Sequence, residues 1–147
     1  MYAMGISYFL PLVPRPQKSR KRMRLSVLPL FSGYLFFKGG LEQRHNILRS
    51  NRVAQILEVP DQARLYTELK NIHSLLLEDK RVRLCDFVQR GQRVIITHGP
   101  FKGITGIVQT LKNKSFVIIS IECIRQSVRV EIPLDQIKPL RISTSAE

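Results

Sequence analysis

The C-terminal third of the chain reads as a series of short strands, and this pattern restricts the fold more than any other feature. Apolar runs alternate with turn signals at Gly99-Pro100, at 112–114 and at Arg125-Gln126, and no helical period appears. Antiparallel strands this short and this closely spaced are typical of a small barrel. We therefore predict an all-β, SH3-like barrel over residues 93–142. Its predicted strands are 93–98, 104–111, 115–121 and 127–132, with a short last segment from Ile137.

The N-terminal half mixes strands with helices. Branched and aromatic residues over 6–13 and 25–38 predict two strand regions, and Gly39-Gly40 ends the second. A short helix is predicted over 41–50, whereas 52–59 fits either a continued helix or a short strand. We therefore predict an α+β N-terminal domain, an antiparallel sheet with helices, over residues 1–79. A polar linker is predicted over 80–92.

The longest predicted helix runs from its N-cap, Asp61, to about Glu78. It carries an apolar stripe at helical spacing, which predicts one face packed against a core. The residues of this stripe are Leu65, Leu69, Ile72 and Leu76.

The net charge of +13 favours a polyanionic partner. Six of the ten residues from Arg15 to Arg24 are basic and none is acidic. Pro14 and Pro16 argue against a helix there, so we predict an exposed loop between two strands. Lys and Arg in such a loop contact phosphates without reading sequence, although a loop kept only for solubility is the alternative. The candidate nucleic-acid-binding residues are Lys18, Arg20, Lys21, Arg22 and Arg24.

Several classes of protein are disfavoured by the sequence. The apolar stretch from Met1 to Val13 is too short to span a bilayer and lacks a basic start, so no membrane partner is expected. Cys85 and Cys123 are interpreted as buried thiols and not as a disulfide or a zinc site. The three histidines lie in different elements without a nucleophile or ligand nearby. We therefore expect that the protein is not an enzyme and that it binds no cofactor and no metal.

The segment from Gly91 to Val108 resembles a KOW motif. Hydrophobic residues alternate along its two strands, and glycines stand at the turn between them. Gly99, Gly103 and Gly106 are the predicted structural glycines, placed for positive φ or for close approach of the backbone. Such motifs occur in ribosomal proteins and in NusG-type factors, so the motif alone leaves both open.

The segment from Pro29 to Lys38, Pro-Leu-Phe-Ser-Gly-Tyr-Leu-Phe-Phe-Lys, resembles the signature strand of the N-terminal domain of NusG-type transcription elongation factors. Together with the KOW motif that follows it, the resemblance covers residues 5 to about 140. Within the family, the chain is more similar to specialised paralogues of the RfaH sort than to the general factor. It implies a factor that lies on the largest subunit of RNA polymerase, near upstream or non-template DNA, and suppresses pausing. Carried over by position, the polymerase-binding candidates are Phe31, Gly33, Tyr34 and Phe36.

The same resemblance implies a second partner for the KOW domain, either a ribosomal protein or the Rho terminator. Phe101, Lys102 and Ile104 at the turn are the candidate contacts, although Phe101 equally fits a role in capping the domain's own core. The resemblance implies a cytoplasmic bacterial protein, and we expect a monomer.

Two departures from the family pattern stand out. Ser32 occupies the usual place of a proline, and the strand and helix that open the family's domain have no counterpart before Gly5. A reduced N-terminal domain or a start codon placed too late is therefore expected. A ribosome-associated RNA-binding KOW protein is the main rival, and it leaves the strand from Phe31 to Phe37 unexplained.

Overall fold

The computed structural model describes residues 2–19, 22–78, 82–87 and 91–140. The fold is mixed α+β and divides into two compact units, Met1–Gln62 and Ala63–Glu147. The sequence predicts that the first domain ends at residue 79, whereas the first compact unit ends at Gln62. The first unit holds four strands and a helix: β1 Ser7–Phe9, β2 Leu12–Ser19, β3 Arg22–Pro29, β4 Phe36–Lys38 and α1 Leu41–Arg49.

Two separate antiparallel pairs make up the strands of the first unit. β1 pairs with β4, and β2 pairs with β3. The predicted strand over 6–13 is therefore two strands, which separate at Leu10 and the buried Pro11. The predicted strand region over 25–38 is also divided, since β3 ends at Pro29 and β4 begins only at Phe36.

The prediction of an exposed loop over Arg15 to Arg24 is wrong, because most of this segment lies in β2 and β3. The two strands pair along their full length, with Leu12 opposite Pro29 and Lys18 opposite Met23. Pro14 and Pro16 are tolerated because a two-stranded ribbon has two edges, and a proline fits wherever its nitrogen faces away from the partner strand. We call this ribbon, 12–19 with 22–29, the hairpin.

Helix α2, Gln62–Glu78, confirms the long helix predicted after Asp61, and all of it but Gln62 belongs to the second unit. Ile72 and Leu75 are its fully buried residues, so the buried face is turned slightly from the predicted stripe. Six strands follow: β5 Arg83–Cys85, β6 Arg93–Ile96, β7 Thr105–Leu111, β8 Lys114–Ile121, β9 Gln126–Glu131 and β10 Ile137–Pro139.

The strands of the second unit form one antiparallel sheet in the order β10-β6-β7-β8-β9-β5. The sheet is not closed into the predicted barrel, since β10 and β5 lie at opposite ends of this order. β5 comes from the segment predicted as a linker and adds to β9, with Leu84 opposite Val128. Ile118 and Ser127 are buried on one face of the sheet, and the other face carries most of the core. Its buried members include Val94, Ile96, Val117, Ile119, Val128 and Val130.

Candidate partner-binding and nucleic-acid-binding surfaces

The aromatic residues of the predicted polymerase-binding set lie at different depths. Phe31 is 1% exposed, and its ring meets that of Phe36 edge to face, with centroids 6.3 Å apart. Tyr34 and Phe36 are partly exposed. The Tyr34 N–H donates to the Phe31 carbonyl at 3.2 Å, and Gly33 between them has a φ of +82°. Tyr34 and Phe36 therefore reach the surface in part, and the buried Phe31 packs against Phe36.

The hairpin has two chemically different faces, which follow from the strand register. Cross-strand partners point their side chains to the same face, and successive residues alternate between faces. One face, which we call the basic face, carries Arg15 opposite Ser26 and Gln17 opposite Arg24. The Ser26 hydroxyl donates to Gln17 Oε1 at 3.2 Å across it. Arg22 and Arg24 are exposed there.

The opposite face of the hairpin is apolar, and sequence reasoning missed it. Met23, Leu25 and Val27 are 66%, 74% and 63% exposed. Their partners across the ribbon are Lys18, Pro16 and Pro14. The signal was present in the alternation Arg-Met-Arg-Leu-Ser-Val over 22–27, which has the period of two of a strand. We call this surface the apolar face.

The predicted nucleic-acid-binding residues do not share one surface. Arg22 and Arg24 lie on the basic face, whereas Lys18 pairs with Met23 on the apolar face. Arg20 and Lys21 lie outside the described residues. Arg15, which the prediction left out of the set, lies on the basic face and is partly exposed. No acidic residue occurs before Glu42, so the hairpin carries a purely positive charge.

The predicted partner-binding turn of the second unit is held tightly by backbone hydrogen bonds. The Ile96 N–H donates to the Ile104 carbonyl at 2.9 Å, and the Gly103 N–H donates to the Ile96 carbonyl at 2.8 Å. Gly103 has a φ of +91° and Gly99 a φ of +81°. Phe101 and Ile104 are 6% and 5% exposed. Lys102 is therefore the member of the predicted set that reaches solvent.

The face of the six-stranded sheet that buries Ile118, which we call the outer face, also carries basic residues that the sequence did not single out. Arg129 lies opposite Arg83 on β5 and opposite Ile118 on β8. Its guanidinium lies over the Phe116 ring, 5.2 Å from the centroid. Glu131, also on this face, is bound by Lys114 Nζ at 3.1 Å. The guanidinium is attracted by the face of the ring, so the contact holds a positive charge on this side of the sheet.

A polar cluster joins α2 to the turn after β8. Arg64 Nε donates to Glu68 Oε1 at 3.0 Å, and the Arg64 guanidinium also pairs with Glu122. Burial raises the pKa of Glu68, and the neighbouring Arg64 offsets this in part. Burial also raises the pKa of the Cys123 thiol, to which the Glu68 charge adds. The cluster holds the first turns of α2 against the turn that follows β8.

The exposed or partly exposed candidates among the described residues are the Tyr34–Phe36 pair, the basic face and the apolar face of the hairpin, and the part of the outer face around Arg83. Across the described residues, no helix has both the length and the apolar character needed to cross a bilayer. Within the same ranges, no three potential metal ligands come together. Comparison with protein-family models found no match, and comparison with curated proteins found none either.

Proposed function

We propose that the protein is a transcription elongation and antitermination factor of the NusG type, which binds RNA polymerase through its first unit. The observation that carries the proposal is the order of two motif-like segments along one chain. The signature-like segment from Pro29 to Lys38 precedes the KOW-like segment from Gly91 to Val108. In this proposal the six-stranded sheet is the KOW domain.

In this proposal Tyr34 and Phe36 contact the largest subunit of the polymerase. Both are partly exposed, and Phe31 supports Phe36 from beneath by its edge-to-face contact. Aromatic side chains on a rigid support contribute strongly to interfaces because little conformational entropy is lost on binding. Phe31 and Gly33 act indirectly, by holding the turn that presents the two rings.

The basic face of the hairpin contacts upstream or non-template DNA in the same complex. Arg22 and Arg24 are exposed, and the strand holds them on one side. Arginine forms paired hydrogen bonds with phosphate oxygens, so these contacts would be strong and independent of sequence. The second unit, through Lys102 and the surface around its turn, would bind a ribosomal protein or the Rho terminator.

The direct test is capture of core RNA polymerase by the immobilised full-length chain, beside a Tyr34→Ala/Phe36→Ala variant. Binding by the wild type and loss by the variant are expected. Tyr66→Ala is the matched control, because Tyr66 is an aromatic residue 71% exposed on α2. Equal capture by all three proteins would contradict the role of the aromatic pair. No capture by a folded wild type would contradict the proposal.

A second candidate is a ribosome-associated RNA-binding protein, and the outer face of the sheet favours it. Arg129 over Phe116, with Arg83 opposite, provides positive charge beside an aromatic ring. Arg83→Ser/Arg129→Ser would then lower affinity for structured RNA and reduce its salt dependence. Polymerase capture unchanged in this variant, together with no RNA binding by the wild type, would exclude the second candidate.

A further inference from the structure

The outer edge of β3 is open, and its backbone groups are oriented to receive another strand. The Leu30 N–H donates to the Pro11 carbonyl at 2.7 Å, and this pair continues the register of the hairpin. In an antiparallel ribbon, pairs that exchange hydrogen bonds alternate with pairs that do not. Residues 28, 26 and 24 therefore bond to β2. The N–H and C=O groups of Met23, Leu25 and Val27 face away from it.

The two edges of the hairpin differ in what they offer. On β2 the outward positions include Pro14 and Pro16, which have no N–H to donate. On β3 the outward positions Met23, Leu25 and Val27 each keep one donor and one acceptor, whereas Pro29, the outward position at the end of the strand, has no N–H. The hairpin is a two-stranded sheet, so among the described residues no further strand covers this edge. Prolines on an edge block strand addition, and on β3 the proline lies at the very end, so the stretch from Met23 to Val27 is able to pair.

The side chains beside this edge define the chemistry of a strand that would fit it. A new strand would place alternate residues next to Met23, Leu25 and Val27 on the apolar face. Its other residues would lie next to Arg22 and Arg24 on the basic face. The basic face carries no acid of its own, since the first acidic residue of the chain is Glu42. An added strand therefore gains most if its apolar residues alternate with Asp or Glu.

We propose that the edge of β3 binds an extended segment of a partner protein in which apolar and acidic residues alternate, and that the segment adds to the hairpin as a third strand. Main-chain hydrogen bonds to Met23, Leu25 and Val27 supply affinity, and the two faces supply specificity. A second copy of the chain fits less well, because it would bring Arg22 and Arg24 against basic residues. This inference goes beyond the proposed function and does not require polymerase binding.

The test measures binding of a short fluorescein-labelled peptide of alternating valine and glutamate, blocked at both ends, by fluorescence anisotropy with the full chain. Leu25→Pro removes the central outward N–H and leaves the bonds to β2 in place, so affinity should fall about tenfold. Leu12→Pro is the matched control, since Leu12 faces outward on the β2 edge. Its affinity for the peptide should remain that of the wild type. Circular dichroism confirms that both variants fold.

Reversing the charge of the basic face provides a second, independent test of the same proposal. Arg22→Glu/Arg24→Glu should lose the valine–glutamate peptide and gain a valine–lysine peptide, which the wild type should not bind. Equal binding of both peptides by the wild type would overturn the proposed specificity. An affinity unchanged in Leu25→Pro but abolished by an added oligothymidylate would overturn strand addition, because the peptide would then bind only as a polyanion. Self-association in place of peptide binding would overturn it as well.

Discussion

Gly106 on β7 lies so close to Ile118 on β8 that a β-carbon at position 106 would stand 2.5 Å from the Ile118 carbonyl oxygen. The Val117 side chain would be 2.7 Å away. A β-carbon does not reach such distances without movement of the backbone. The centre of the sheet therefore depends on a residue with no side chain at this point.

Gly106→Ala should lower the free energy of unfolding by about 2 kcal/mol, because the backbones of β7 and β8 must separate. Urea unfolding followed by circular dichroism measures the loss. Gly103→Ala is the control for backbone strain alone, since Gly103 has a φ of +91° with nothing within 4 Å of its added β-carbon. A Gly106→Ala loss no larger than that of Gly103→Ala would contradict the close approach.

Phe31→Ala should destabilise the first unit by about 3–5 kcal/mol, as expected for a buried phenylalanine. Tyr34→Ala, at a partly exposed neighbour in the same turn, should cost much less. Thermal unfolding of the two variants measures the difference. A fully stable Phe31→Ala variant would show that Phe31 is held for a partner and not for the core.

Arg22→Ser/Arg24→Ser should weaken binding to DNA of any sequence, because both arginines lie on the exposed basic face. The slope of log affinity against log salt concentration should decrease in magnitude by about two, close to one for each lost phosphate contact. Filter binding at several salt concentrations gives the slope. Lys38→Ser/Lys70→Ser removes the same charge at exposed sites outside the hairpin and should change the slope less.

Glu68→Gln should gain stability relative to the wild type as the pH rises from about 4 to 7. Burial raises the pKa of Glu68, so the folded state holds the proton more tightly than the unfolded state does. The stability that this carboxyl contributes is present below its unfolded pKa and is lost as the pH rises through its folded pKa. Glutamine carries no proton to lose, so the variant escapes this loss.

Urea unfolding at several pH values compares the two proteins. Glu42→Gln, at an exposed position in the first turn of α1, controls for removal of a carboxylate. A constant difference between Glu68→Gln and the wild type across this range would show that the contact of Glu68 with Arg64 outweighs its burial.

Strands β6 to β9 could be predicted because each has at least four residues and most of the connections between them carry glycine, proline or asparagine. β5 could not, since Arg83, Leu84 and Cys85 are too few to show a period within a polar segment. Whether the sheet closes into a barrel depends on which strands meet at its edges. That pairing is long-range and leaves no local pattern in the sequence.

The hairpin escaped prediction because Pro14 and Pro16 argue against a helix, and a run of basic residues without a helix indicates an exposed loop. The effect of a proline on a strand depends on whether its nitrogen faces the partner strand, which the register decides and the sequence alone does not show. The predicted polymerase-binding surface was also only partly right, because burial depends on the folded structure and not on position in the sequence. Aromatic residues cluster from Phe31 to Phe37, but their order along the chain does not distinguish the buried Phe31 from the partly exposed Phe36.

The prolines of β2 also limit how many molecules can join through the hairpin. A sheet grows indefinitely only if each added unit presents a new open edge, as in fibrils. Here Pro14 and Pro16 occupy the β2 edge, so each hairpin can add a strand at only one edge, that of β3. Two hairpins that paired through β3 would expose only proline-bearing edges, and growth would end at a pair. The molecule can therefore display a long apolar strand without a route to edge-to-edge polymerisation through this hairpin.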